Sequence, residues 1–251
     1  MKRITFIGSG NVATNLAKAF FSKGYEIVQI CSATVLHAKT LAAMVNAEAA
    51  TDLSELKPAD IFIVAVRDDV ISEVAGKLPA GNALLLHTAG SVGMDVLSRF
   101  ANHGVLYPLQ TFTKDKKVDF SAVSFFIEAN TPENFEQLTN LASSLSSHLI
   151  PLKTEGRLKL HLAAVFACNF LNYLLSIAAD LSKENFSALH SLVNEMVAKA
   201  FDAQHPNCVQ TGPAMRNDRA TLKKHEELLS LQPDLKQLYI TLSQAIANQT
   251  I

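Results

Sequence analysis

From the start of the chain to about residue 153, short apolar runs alternate with segments whose apolar positions recur every third or fourth residue. Residues 4–7 predict a strand, and residues 11–23 a helix that turns Val12, Leu16, Ala19 and Phe20 inward. A second strand over 26–31, a helix over 36–45 and a short strand near 47–50 follow. Residues 61–66 are unbroken apolar, the pattern of a central parallel strand buried on both faces. Beyond it, Asp68 or Asp69 is placed to cap a helix through Val70, Ile71 and Val74. Further strands are expected at 83–87, 105–107, 123–128 and 149–152, with helices over 94–101 and 132–145. This alternation predicts a parallel sheet with helices on both faces, the doubly wound α/β class. Right-handed crossovers then gather the strand-end loops along the carboxyl edge, where open α/β sheets bind ligands.

The pattern changes around residues 153–156. From residue 158 onward only helical periodicity remains: a long apolar helix over 158–181, another over 186–204, a loop over 205–217, a helix from an Asp218 cap to 229, and a last helix opened by Pro233 and running to about 248. The second half is expected to be all-helical.

The turn after the first strand reads Gly8-Ser9-Gly10-Asn11-Val12-Ala13, which fits G-x-G-x-x-G/A between a strand and a helix. Each small residue has a physical task. Gly8 permits the tight turn, Gly10 carries no Cβ to hold a pyrophosphate away, and Ala13 lets the helix sit close to the strand. The free N–H groups and the positive end of the helix dipole then face the phosphates. Residues 1–153 are therefore expected to be a Rossmann-type nucleotide-binding domain, followed by an all-helical domain over 154–251. At the end of the second strand an acidic residue would hold the ribose of NAD. Gln29-Ile30-Cys31-Ser32-Ala33-Thr34 offers none, and Ser32 and Thr34, with His37 and Lys39 on the next turn, accept a 2′-phosphate without repulsion. NADP is the expected cofactor; Ser32 equally suits a plain helix cap.

Composition narrows the alternatives. A chain of 251 residues can build one large core or two modest ones. Its formal charge of −1 offers no field to nucleic acid. The opening Met1-Lys2-Arg3 resembles the start of a signal peptide, but Gly8 ends the apolar run short of the ~7–15 residues such a peptide needs. The densest apolar stretch, 162–179, is interrupted by Asn169 and Asn172 and is not expected to span a membrane. Cys31, Cys168 and Cys208 are too far apart in sequence for a disulfide framework or a zinc site. A cytoplasmic protein without metal, nucleic-acid partner or membrane is expected.

The Gly8–Ala13 turn and the segment Ala65-Val66-Arg67-Asp68-Asp69-Val70-Ile71 resemble those of pyrroline-5-carboxylate reductases and deazaflavin-dependent NADP oxidoreductases. The similarity is strongest to relatives that join a Rossmann-like domain to a helical domain of unknown function. His87-Thr88-Ala89-Gly90-Ser91, Tyr107-Pro108-Leu109-Gln110-Thr111-Phe112, the helix from His161 to Phe170, and Thr211-Gly212-Pro213 with Arg216 and Asp218 all match segments of that subfamily. Two positions depart: Tyr107 stands where relatives tend to have His, and Asn217 where they tend to have Gly. The resemblance implies an NADP-linked oxidoreductase and a homodimer formed through the helical domain.

Hydride transfer places the hard chemistry on the nicotinamide and leaves the protein to orient it and manage charge. Ala65, Val66, Arg67, Val70, Thr88, Ala89 and Gly90 fall at strand ends beside the cofactor turn. Arg67 suits a phosphate or a substrate carboxylate, or equally a solvated surface position. His87 ends an apolar strand, which favours a buried, hydrogen-bonded histidine over a proton donor. On the long helix, His161, Val165, Asn169 and Asn172 share a stripe at helical spacing. His161 is the expected acid/base, with Asn169 holding a substrate carbonyl or imine; helix–helix hydrogen bonding within a dimer would use the same residues. Tyr107, Gln110 and Thr111 from the first domain, and Arg216 from the second, are expected to complete a substrate cleft, with weaker indications for Asp218 and His225. No G-x-S-x-G serine-hydrolase elbow surrounds Ser9 or Ser91. The expected function is NADP(H)-dependent oxidation or reduction of a small polar carbonyl, imine or hydroxyacid compound. A non-catalytic NADP-binding regulator and a methyltransferase are the alternatives.

Overall fold

The computed structural model describes residues 2–249. Eight strands form one sheet: β1 (Arg3–Ile7), β2 (Glu26–Cys31), β3 (Glu48–Ala50), β4 (Ile61–Val64), β5 (Leu84–His87), β6 (His103–Pro108), β7 (Phe125–Ala129) and β8 (Leu149–Pro151). Their order across the sheet is β3-β2-β1-β4-β5-β6-β7-β8. The reversal between β1 and β4 puts the switch point of the topology at the carboxyl end of β1, directly before Gly8. Helices α1 (Asn11–Ser22), α2 (Val35–Met44), α3 (Ile71–Lys77) and α4 (Pro132–Ser143) connect the strands.

One face of the sheet buries Ile4, Phe6, Ile30, Ile61, Ile63 and Leu86 against Ala13, Leu16, Ala17 and Phe20 of α1. Small residues at 13 and 17 bring that helix close, while Leu16 and Phe20 fill the space beside them. The other face packs Ile7, Val64 and Leu85 against Ile71 and Ala75 of α3 and against Leu97 and Phe100. With apolar cover on both sides, the central strands read as continuous apolar runs.

Three local expectations are corrected. The sheet is not wholly parallel: β7 runs antiparallel to β6, with Leu106 opposite Ile127, and β8 runs parallel to β7. Between β6 and β7 there is one short 3-10 turn, Phe120–Ala122, and no helix to carry the chain back across the sheet. The strand therefore returns from the edge at which its predecessor ended. Residues 94–101 do not form an α-helix; a 3-10 turn covers Met94–Leu97. Leu97 at its end and Phe100 beyond it are the buried apolar residues, three apart and joined by a hydrogen bond from Phe100 N–H to the Leu97 carbonyl, the 3-10 spacing. Neither Asp68 nor Asp69 caps α3. Asp68–Val70 form a 3-10 turn in which Asp69 pairs with Arg67 and Asp68 accepts a hydrogen bond from the Ser91 hydroxyl.

The remaining elements are helical: α5 (Thr154–Ala164), a π-helical turn (Val165–Phe170), α6 (Leu171–Ser182), α7 (Leu189–Asp202), α8 (Arg219–Leu228) and α9 (Pro233–Ala247). The strands end before 153, as the sequence boundary anticipates, but the chain divides into two compact units later, between Leu171 and Asn172. The delay has a cause within the first unit, where Arg157 of α5 is buried against Val92 and Glu128. The helical run Thr154–Asp202, 49 residues long, is apolar enough by length and composition to cross a membrane, despite the interruptions at Asn169 and Asn172. Within the second unit, helices α7, α8 and α9 bury no residue fully, and Leu192, Phe201 and Leu231 stand exposed.

Candidate functional site

The cofactor turn is built by two glycines under different constraints. Gly8 has φ +117°, and a Cβ there would stand 2.2 Å from the Ala65 carbonyl oxygen. Its N–H donates to the Cys31 carbonyl at 2.8 Å, while Ala65 N–H donates to Ile7 at 2.8 Å, so the ends of β1, β2 and β4 are drawn together around it. Gly8 is required by the protein itself. Gly10 is different: its backbone is extended, and a Cβ would meet nothing within 4 Å. Open space lies where the motif needs a phosphate to approach. Behind it α1 begins with no side-chain cap and no carboxylate in its first turn, leaving its amino-terminal N–H groups for an anion. Ala13 is fully buried against the sheet.

The neighbouring turn is tied to this one by a 2.7 Å hydrogen bond between the Ser9 and Ser32 hydroxyls. Ser32 is therefore engaged across the turn instead of capping α2. Thr34 holds the cap position of α2 without a side-chain hydrogen bond, and no acidic residue lies in that helix's first turn. Asp52 and Glu55, beyond β3, act on Cys31, whose thiol is pushed up mainly by burial. The far wall is the segment after β6. Asn11 donates to the Phe112 carbonyl at 2.8 Å and Asn15 to the Thr113 carbonyl at 3.0 Å, pinning that segment to α1. Gln110 and Thr111 are exposed there, with Gln110 Oε1 accepting from Thr111 N–H at 2.7 Å.

At the end of β5, Thr88, Ala89 and Gly90 are buried. Thr88 N–H donates to Val64 at 3.2 Å, joining this turn to β4 beside Val66. His87 is fully buried and its Nδ1 accepts from Ala89 N–H at 3.2 Å. Burial, with the Arg157 charge second, pushes it down to about 3 against an opposing pull from the Gly93 backbone, so it is neutral and structural. Arg67 is held by Asp69 at 2.5 Å with its side chain 83% exposed, and Val70 is half-buried behind it.

The chemically capable pair stands above Gly90. The Tyr107 hydroxyl and His161 Nδ1 are 3.1 Å apart, with the rings edge to face at 6.0 Å. A Cβ on Gly90 would lie 2.6 Å from His161 Nδ1 and 2.7 Å from Tyr107 Cζ, so both side chains rest on the glycine. Tyr107 is 8% exposed, and burial raises its phenol, followed by repulsion from Asp68. His161 is more open to solvent. The pair can hold a proton and pass it outward.

Asn169 lies exposed on the π-helical turn, and its side chain makes no hydrogen bond among the described residues. The i→i+5 bonding inserts an extra residue into that turn, so the α-helical spacing that aligned Asn169 and Asn172 with His161 does not hold through it. In the second unit, Arg216 is exposed, Asp218 accepts from Thr221 N–H at 3.1 Å as the cap of α8, and His225 Nδ1 lies 2.8 Å from the Tyr239 hydroxyl. Sequence reasoning passed over Arg157, Glu128 and Thr154. The available signal was an arginine one helical turn before His161. No group of metal ligands occurs among the described residues.

The open space at Gly10, the uncapped start of α1 and a β2 end free of carboxylate fit a dinucleotide carrying an extra phosphate. NADP(H) is the cofactor, and the Gly8–Ala13 turn is the candidate seat for its phosphates. Comparison with known proteins agrees. Residues 3–90 match the family described as NADP oxidoreductase, coenzyme F420-dependent, and residues 123–246 match a domain of unknown function, DUF2520. A Bacteroides fragilis structure described as an NADP oxidoreductase is 40% identical, covers 99% of this chain and 98% of its own, and superposes with a TM-score of 0.90. Two more distant structures share the fold. A reductive aminase from Aspergillus terreus in complex with NADPH and ethyl-5-oxohexanoate is 14% identical, covering 100% of this chain and 97% of its own, TM-score 0.72. A pyrroline-5-carboxylate reductase from Coxiella burnetii is 16% identical, covering 99% of both chains, TM-score 0.55. No curated protein matches the chain in sequence. With its glycine turn, its strand order and a relative matched from end to end, this chain belongs to the NADP oxidoreductases in which an F420-dependent-type nucleotide domain is followed by a DUF2520 domain.

Proposed function

We propose that this protein is an NADPH-dependent reductase of a small polar imine or carbonyl compound, with His161 as proton donor. The observation that carries the reading is the Tyr107–His161 pair seated on Gly90, at the carboxyl edge of the sheet that also bears the dinucleotide turn. Bound NADPH supplies a hydride to the substrate carbon. His161 supplies the matching proton: with Nδ1–H directed at the Tyr107 oxygen, Nε2–H is left to protonate the substrate nitrogen or oxygen, and solvent then reprotonates the ring. The tyrosine fixes which ring nitrogen faces the substrate. Asn169, Gln110 and Thr111 are assigned to hold the substrate's polar atoms. The reductive aminase and the pyrroline-5-carboxylate reductase that share the fold favour this substrate class.

The helical part is assigned to homodimerisation. Leu192, Phe201 and Leu231 stand exposed there, apolar surface of the kind a protein partner covers. Asn169, Asn172 and Asp180 within the apolar run favour a protein partner over lipid.

The test is NADPH oxidation over a panel of cyclic imines and keto compounds. His161→Ala is expected to lower kcat by about 10²–10⁴ while NADPH affinity is retained. Tyr107→Phe is expected to give a smaller loss. Turnover of an identified substrate at the wild-type rate by His161→Ala would overturn the assignment, and tight NADPH binding without oxidation of any panel member would favour a regulatory role.

A further inference from the structure

Among the described residues, Arg157 is the largest side chain that is fully buried. Its Nη2 donates to the Val92 carbonyl at 2.8 Å and to Thr154 Oγ1 at 3.3 Å, and lies 3.4 Å from Glu128 Oε2. Thr154 completes the cluster: its hydroxyl donates to Glu128 at 2.9 Å and accepts from Met94 N–H at 3.2 Å. One side chain thus joins α5 to β7 and to the turn that follows Gly90. The rest of the guanidinium is not satisfied in this way, since Nε and Nη1 have no hydrogen-bond partner. A buried charge with three of its five N–H donors idle is a poor device for stability alone, because an apolar side chain of similar volume would hold the helix at lower cost. Its place in the fold suggests another role. Arg157 and His161 are four residues apart on α5, so they share a face of the helix. Anchoring the first sets the height and rotation of the second above Gly90.

Resting on the reductase reading, we propose that Arg157 is the positioning residue of the His161–Tyr107 pair, holding α5 against the Val92 turn and Glu128 so that His161 Nδ1 stays within hydrogen-bond reach of the tyrosine. The groups around it fit this role. Glu128 from β7 balances its charge, Tyr107 from β6 and neutral His87 from β5 lie within its field, and both respond to it. The planar fork suits several acceptors at fixed angles, which a lysine ammonium does not reproduce.

The test uses the full-length protein with Arg157→Met, Arg157→Lys and Glu128→Gln. Imidazole nitrogen NMR, with the His161 signal assigned from His161→Gln, reads the contact with Tyr107 without any substrate. In folded Arg157→Met the His161 signal is expected to move to the position it takes in Tyr107→Phe, with NADPH affinity unchanged. With an imine that the wild type reduces, kcat is expected to fall at least tenfold at nearly constant KM, and Arg157→Lys to recover only part of it. If Arg157→Met does not fold, Glu128→Gln carries the same expectations. A folded variant with an unmoved His161 signal and wild-type kcat would overturn the proposal. If instead His161→Ala and Tyr107→Phe kept full turnover, the reductase assignment would fail, and the NMR result would still decide whether Arg157 places the pair.

Discussion

Gly8 and Gly10 are two residues apart and are glycine for unrelated reasons. Adding a methyl group at Gly8 drives it into the Ala65 carbonyl and demands a positive φ, so Gly8→Ala is expected to lose at least 1–3 kcal/mol of stability. The same change at Gly10 meets nothing, so Gly10→Ala is expected to melt like the wild type yet bind NADPH at least tenfold more weakly. Thermal denaturation together with fluorescence titration separates the two. The motif was readable in the sequence; which glycine serves the fold and which the ligand was not, because that depends on what stands opposite each Cα. His87 offers a second contrast. Its folded value of about 3 lies below the ordinary 6.5, so the unfolded chain binds the extra proton more readily. The stability this neutral histidine contributes is complete above 6.5 and is lost as the pH falls toward 3, at up to about 1.4 kcal/mol per pH unit. His87→Gln is expected to flatten the dependence of Tm on pH across that window; an unchanged slope would contradict the burial argument.

Helices and strands were predictable where pattern and caps agreed. Thr131 accepts from Asn134 N–H to start α4, and Pro233 opens α9, close to the boundaries read from the sequence. Prediction failed where a neighbour chose the geometry. The direction of β7 follows from a helix-free return, and the π-helical turn interrupts an otherwise regular apolar repeat without a local signal at Val165–Phe170. The start of α8 combines both situations. Asn217 has φ +52° and Asp218 caps the helix, so the departure from glycine at 217 is accommodated by a residue that tolerates the left-handed region. Asn217→Gly is expected to be nearly neutral, whereas Asn217→Val should lose about 1–2 kcal/mol and Asp218→Ala about 1 kcal/mol in urea denaturation.

The two compact units differ in how they satisfy their apolar residues. The sheet unit holds the large buried apolar clusters, while the helical unit leaves Phe201 85% exposed and Leu192 65% exposed. If a second copy covers that surface, the wild type sediments at twice the chain mass of 27.2 kDa. Leu192→Glu with Phe201→Glu is then expected to shift the protein to monomer with the sheet unit still folded. Sedimentation of the wild type as a monomer would remove the dimer assignment.

Periodicity, the glycine turn and the end of strands near residue 153 were enough to indicate the class of the fold and NADP as the cofactor. These follow from local rules: side-chain spacing along one element, and backbone freedom at one or two positions. The meeting of His161 with Tyr107 over Gly90, and the burial of Arg157 beneath them, came from elsewhere. Residues 54 positions apart were brought within 3.1 Å by the packing of α5 onto a turn and a strand distant in sequence, and no periodicity within one segment records such a distance.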